Sequence, residues 1–216
     1  DDIPSNFAFL RAGDIIEKPQ LAAGGEKEPV DLLVILDTSI ERVGKVTEAF
    51  SPAQMLNIDH HVTNALACPA VYLDPASAAT AEIVYELLKA MDAEITKDIA
   101  MAVYTGLATD TGFFRFPNTT PFTMRAAAEL LERGAEPGLI SEAVEAKPFA
   151  RVVGMAKAIE TTELFYDGRI AGIFLDRAAT EALDSTEGLI DALRAIEGTD
   201  ISVLLKWKED RVFRVS

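Results

Sequence analysis

The run "VDLLVILD" at residues 30–37 decides the fold. Leu32 to Leu36 are apolar without a break, Pro29 precedes the run and Asp37 ends it. A continuous apolar run of strand length, rather than an alternating one, predicts a strand of a parallel sheet buried on both faces. "MLNI" (55–58) is a second, shorter run of this kind, and "IERVGKVTEAF" (40–50) between them suits a crossover helix. Strands alternating with helices predict a doubly wound α/β domain. Both runs end on an acid, Asp37 and Asp59, at the strand ends where such sheets hold their ligands.

Further along, "SAATAEIVYELLKAMD" (77–92) puts Ile83, Val84, Leu87, Leu88 and Met91 on one helical face. "KDIAMAVYTGLATD" (97–110) is apolar almost all round, which predicts a buried helix. "NTTPFTMRAAAELLERG" (118–134) is punctuated as a helix, with Thr120 as cap, Pro121 at the first position and Gly134 past the end. Beyond residue 160 the texture changes. "TELFYDGRIAGIFLD" (162–176) reads as a hairpin about Asp167-Gly168, and "ISVLLKW-KED-RVFRVS" (201–216) as another. Between them "DSTEGLIDALRAIEG" (184–198) reads as a helix, with Asp184 and Glu187 as a capping box and Gly198 as its stop. The expected organisation is an α/β domain over 1–136, a helical linker over 137–160 broken at Pro148, and a smaller α+β domain over 161–216.

The 216 residues carry a net charge of −15, with 49% apolar and 25% charged residues. That balance suits a soluble globular protein, and no apolar run approaches the ~20 residues of a membrane span. A surface this acidic repels long nucleic acid, so phosphate chemistry requires a focused site where metal ions reverse the local field. The single cysteine, Cys68, excludes an intrachain disulfide and favours a reduced, cytoplasmic setting. It reads as a small buried side chain.

Both histidines of the chain, His60 and His61, stand together behind Asp59 in "NIDHH". With Asp37 and Asp110 they form a carboxylate–imidazole set suited to a hard-to-borderline divalent ion such as Mn²⁺ or Mg²⁺. Taken singly, Asp37 is also a good helix cap and Asp110 a turn former with Thr111 and Gly112. Arg115 and Asn118, in "FFRFPN", are candidates to touch phosphate, or else a loop ion pair and an Asn turn. Lys206, Lys208, Arg211 and Arg214 make the last hairpin locally basic, and Trp207 alternates with Leu205 and Val203 as a core residue would.

"NIDHH" resembles the signature of the DHH phosphoesterases, "VILDTS" their upstream aspartate motif, and "GLATDTGFFRFPNTTPFTMRAAAELLERGA" their later aspartate motif with its helix. The resemblance covers essentially the whole chain and is strongest to the bacterial oligoribonucleases that also dephosphorylate adenosine 3′,5′-bisphosphate. It implies a DHH domain joined by helices to a C-terminal substrate-binding domain, hydrolysis by two metal ions, and short RNA or a nucleoside bisphosphate as substrate. It further implies Mn²⁺ as the ion, with Mg²⁺ as the alternative, no membrane partner, and a homodimer as an open question. By resemblance Asp37 bridges the ions, His60 and Asp110 complete one coordination sphere, His61 faces the scissile phosphate and Asp59 orients a histidine. The family's first metal motif, a His and two Asp, has no counterpart upstream of "DDIPSNFAFL", and the family's glycine-rich His motif has none after "RVFRVS". The chain therefore reads as the middle of a longer enzyme, short by on the order of fifty residues at each end when one βαβ unit is ~30 residues or more. That loss is expected to expose apolar surface and a sheet edge. The alternatives are another DHH activity (a polyphosphatase, a single-strand exonuclease or a cyclic-dinucleotide phosphodiesterase) or, for a chain complete as it stands, a catalytically inactive nucleotide-binding module.

Overall fold

Two parallel strands set the frame. In the computed structural model, which describes residues 3–11, 15–21, 25–183, 185–186, 188–210 and 212–216, β1 (Glu28–Leu36) is followed by a 3-10 turn (Ile40–Arg42), the four-residue α1 (Val46–Ala49) and β2 (Phe50–Asp59). The expected crossover helix is therefore only a turn and a short helix, since Gly44 takes φ 59 in the middle of the segment and interrupts it. β2 starts five residues earlier than "MLNI" suggests, through Pro52. A third strand, β3 (Ala70–Leu73), pairs parallel to β2 and gives the order β1-β2-β3. Four residues of "AVYL" after a proline are too short a pattern to announce a strand.

β1 is parallel as expected but not buried on both faces. Ile35 is buried, whereas Leu32, Val34 and Leu36 on the opposite face are exposed. β1 and β3 are the edges of the sheet among the described residues, and Tyr72 of β3 is exposed on the same face as Leu36.

Helices supply most of the core of this part of the chain. α2 (Thr80–Ala90), α3 (Lys97–Asp110), α4 (Pro121–Glu132) and α5 (Pro137–Glu145) bury a shared cluster that includes Tyr85, Tyr104, Leu107, Leu130 and Ile140. On α2 the buried face runs through Thr80, Glu82, Ile83 and Tyr85, while Leu87 and Met91 stay exposed, so the face expected from periodicity is rotated. The rotation follows a polar anchor. Buried Glu82 accepts from Thr123 Oγ1 of α4 at 2.6 Å and Tyr85 donates to Glu129 at 2.6 Å. α3 is enclosed as expected, and Thr120 closes a capping box with Thr123 at the start of α4, with Pro121 at its first position.

α2 and α3 approach closely at Gly106. A Cβ there would stand 2.6 Å from the Cβ of Ala81, which is fixed to the α2 backbone. Gly106→Ala gains about 1 kcal/mol of helix propensity but forces the helices apart, an overpacking cost of about 1–3 kcal/mol. The expected net result is destabilisation in urea unfolding. Equal or greater stability would show that α2 yields freely.

The chain divides into two compact units, Asp1–Glu145 and Ala146–Ser216. In the second, α6 (Phe149–Glu160) leads to the hairpin β4 (Glu163–Phe165) and β5 (Ile170–Leu175), turned through Tyr166, Asp167 and Gly168 at positive φ as the Asp-Gly pair predicts. α7 (Arg177–Glu181), capped by Asp176, and α8 (Leu189–Arg194) cross to β6 (Ile201–Glu209), which runs parallel to β5 and antiparallel to β7 (Val212–Val215). α7 has five residues, too few for a periodicity to mark it. Asp184, Glu187 and Arg211 lie outside the described residues, so the expected capping box and one member of the basic hairpin do too. The helices cover one face of the four-stranded sheet through Ala171, Ile173, Leu175 and Leu204. Trp207 is half-buried rather than core, under the Arg177 guanidinium at 5.3 Å. Among the described residues no helix is long and apolar enough to cross a membrane.

Candidate metal centre

Asp37 follows β1, Asp59 ends β2, and His60 and His61 come next, so three strand-end residues and their neighbour converge at one rim of the parallel sheet. Asp110, the last residue of α3, reaches the same point. His60 Nε2 lies 3.7 Å from Asp37 Oδ1 and 3.5 Å from Asp110 Oδ2. Potential ligand atoms of Asp37, His60 and His61 all lie within 4.8 Å of one another. The structure thus brings together five residues that span 74 positions of sequence, Asp37 to Asp110.

Each imidazole has a defined direction. His60 Nδ1 is 3.3 Å from the Ser77 carbonyl, which only accepts, so in the neutral ring Nδ1 carries the proton and Nε2 keeps its lone pair toward the two carboxylates. His61 is oriented by Asp59, whose Oδ1 accepts from His61 Nδ1 at 2.7 Å and from the backbone N–H of His60 and His61. Its Oδ2 accepts from Asn64 at 2.6 Å. Burial opposes ionisation of Asp59, which is 1% exposed, but the bonds from Asn64, His61 and the two backbone amides outweigh it and hold the carboxyl at about 2. The same bond to Asp59 raises the pKa of His61 against partial burial, helped by the charges of Asp59, Asp37 and Asp110. Asp110 is pushed up, first by burial and then by the Asp37 charge, with only partial relief from the histidines. Two facing carboxylates at that cost mark a place for a cation. The donor set, imidazole nitrogen and carboxylate oxygen without thiolate, fits a hard-to-borderline divalent ion.

Residues that sequence reasoning missed hold this set in place. Asn57, 1% exposed, donates to the carbonyls of Ile35 and Thr38 and accepts from Asn64 Nδ2 at 2.7 Å. Asn57 and Asn64 thereby tie the Asp37 turn to the Asp59–His61 turn. Thr80 donates to Asp37 Oδ1 at 2.7 Å. The signal for the asparagines was their place inside and just after "NIDHH"; Ser77 and Thr80 had none, because their contacts cross loops.

Arg115 and Asn118 follow a strained turn. Gly112, Phe113 and Phe114 take φ of 56, 56 and 63 in succession, and a Cβ on Gly112 would meet the Phe116 ring at 2.5 Å. Buried Thr111 anchors the turn, since its hydroxyl accepts from the Phe114 N–H and its carbonyl accepts from Arg115 and Phe116. Left-handed conformations at bulky residues persist only where the surroundings enforce them. Asn118 donates to the carbonyls of Ala78 and Asp110, bracing the end of α3 against the start of α2. Arg115 Nε donates to the Gly112 carbonyl within its own loop.

Three comparisons bear on this arrangement. The DHH family N-terminal domain matches residues 2–107. The bifunctional oligoribonuclease and PAP phosphatase NrnA of Thermus thermophilus is 37% identical over 188 residues, covering 85% of this chain and 56% of that protein. The Bacillus subtilis protein of the same name is 25% identical over 84% of this chain and 60% of its own length. An exopolyphosphatase-related protein from Bacteroides fragilis shares the fold with a TM-score of 0.75 at 24% identity, over 86% of this chain and 57% of that one. The chain thus spans 56–60% of the length of these relatives. With the Asp-His-His turn at the rim of its parallel sheet, residues 2–107 of the chain form a DHH family domain.

Proposed function

We propose that this chain is the metal-holding part of a phosphoesterase that hydrolyses short oligoribonucleotides and adenosine 3′,5′-bisphosphate with two divalent ions, Mn²⁺ in preference to Mg²⁺. The observation that carries the reading is His60 Nε2 set between the carboxylates of Asp37 and Asp110. Similarity to the two NrnA proteins supports the substrate class. Asp37, His60 and Asp110 would hold metal. A divalent ion bound there supplies Lewis-acid stabilisation of the phosphoryl oxygens.

The chain's own residues do the rest. Asp59 fixes His61 through Nδ1, which leaves Nε2 to hydrogen-bond a phosphate oxygen. Arg115 serves as a phosphate contact on the loop after α3. Asn118 serves that loop from behind, because its amide hydrogens are already committed to backbone carbonyls. Charge favours short substrates. Residues 1–145 carry 23 acidic and 10 basic side chains, so a long polyanion is repelled by the unit that holds the site.

The test is a substrate panel with Mn²⁺: a short RNA oligomer, adenosine 3′,5′-bisphosphate, a cyclic dinucleotide, polyphosphate and a long single strand. Hydrolysis of the first two is expected. Preference for any of the others would replace the substrate class, and Mn²⁺ binding with no hydrolysis of any of them would favour the inactive-module reading.

A further inference from the structure

We propose that Thr80 is the positioning residue of Asp37: its buried hydroxyl fixes the carboxylate in the orientation a divalent cation requires. The inference rests on the metal reading above and adds a residue to it.

The main chain at Asp37 is anchored from both sides. Asp37 takes φ 62, and its N–H donates to the Ile58 carbonyl at 3.0 Å. Asn57 holds the carbonyls of Ile35 and Thr38 on either side. None of these bonds touches the carboxylate, whose side chain is 51% exposed. A half-exposed aspartate on a fixed backbone still has its side-chain torsions free.

Thr80 removes that freedom. Its hydroxyl donates to Asp37 Oδ1 at 2.7 Å, and Oδ1 is the atom that faces His60 Nε2 at 3.7 Å and His61 Nδ1 at 3.9 Å. An ionised carboxylate only accepts, so the direction of the bond is fixed. One lone pair of Oδ1 is engaged, and its other lone pair and Oδ2 remain for a cation. Thr80 is itself 4% exposed and β-branched, so its rotamer is set by packing. Its position is also informative. A threonine at a helix start ordinarily caps the helix, but here the cap position is Ala79, which makes no side-chain cap bond, and Thr80 is the first helical residue. Its hydroxyl serves Asp37, 43 positions away, instead of its own helix. Partners of this kind, one bond behind a ligand, typically change metal affinity 10–100-fold when removed.

The experiment is Mn²⁺ titration by calorimetry on wild type, Thr80→Val and Thr80→Ser, with urea unfolding in chelator as the control for folding. T80V keeps the shape and loses the hydroxyl; T80S keeps the hydroxyl. The expected result is about 10–100-fold weaker Mn²⁺ binding in T80V, wild-type affinity in T80S, and cooperative unfolding of all three. Wild-type affinity in T80V overturns the proposal. T80S as weak as T80V also overturns it, by assigning the effect to the methyl group. Should T80V lose its cooperative transition, Thr80→Ala compared with T80S carries the same two outcomes. No Mn²⁺ binding by wild type itself would remove the metal reading and this inference with it, whereas binding by wild type and T80V alike removes the inference alone.

Discussion

His61→Ala is expected to lower turnover of a short oligoribonucleotide by about 10²–10³-fold, the effect of removing one preorganised donor to a developing anion. Mn²⁺ affinity should stay within a few-fold of wild type. The asymmetry follows from the two rings. His60 gives Nδ1 to the Ser77 carbonyl and turns Nε2 toward Asp37 and Asp110, whereas His61 gives Nδ1 to Asp59 and is 49% exposed. Asp59 is buried and fully ionised at neutral pH, so it favours a protonated His61, whose pKa lies above its ordinary value for that reason first. In its protonated form, which the Asp59 bond favours, the ring is fixed at Nδ1 and donates from Nε2. The loss should fall on kcat rather than on KM, because the donor matters most where charge accumulates. Unchanged turnover would sink the role given to His61. An Mn²⁺ affinity lost as fully as in His60→Ala would move His61 into the ligand set, which the distances among Asp37, His60 and His61 also permit.

Asp37→Asn should weaken Mn²⁺ binding by more than about 100-fold, above the 10–100-fold typical of a partner one bond behind a ligand. Asparagine is the right replacement, because it tolerates the left-handed backbone at φ 62 that alanine does not. The substitution keeps the size of the side chain and removes one charge. In chelator the same variant should be at least as stable as wild type. The Asp37 charge pushes up the pKa of Asp110, after burial, and that repulsion disappears with it. Chemical denaturation with and without Mn²⁺ reads both effects, since a cation that binds only the folded state adds stability in proportion to its affinity. A variant that binds Mn²⁺ as wild type does would place the cation elsewhere. One that is much less stable in chelator would make Asp37 a structural residue.

These predictions rest on parts of the protein that were not equally legible in the sequence. The position of the site was legible. Asp37 and Asp59-His60-His61 end apolar runs, and Asp110 ends an apolar helix, so the residues stand where parallel sheets expose their strand ends. Local chemistry also placed the start of α4 at Thr120-Pro121 and the turn at Asp167-Gly168, because a cap and a positive φ are properties of a few adjacent residues. Short elements without a period, β3 and α7, were not legible, nor was the interrupted crossover at Gly44.

By itself the sequence determined the chemical inventory: two imidazoles and three carboxylates in order along alternating strands and helices, within a strongly acidic chain. Only the tertiary structure decided how that inventory is held. β1 shows solvent one apolar face, that of Leu32, Val34 and Leu36. Asn57, Ser77 and Thr80 became parts of the site because folding brings a buried amide, a loop carbonyl and a helix hydroxyl against residues 17 to 43 positions away. Periodicity reports which side of an element turns inward. It carries no record of which polar atom waits there, and a hydrogen bond spanning 43 residues exists only once both loops are in place.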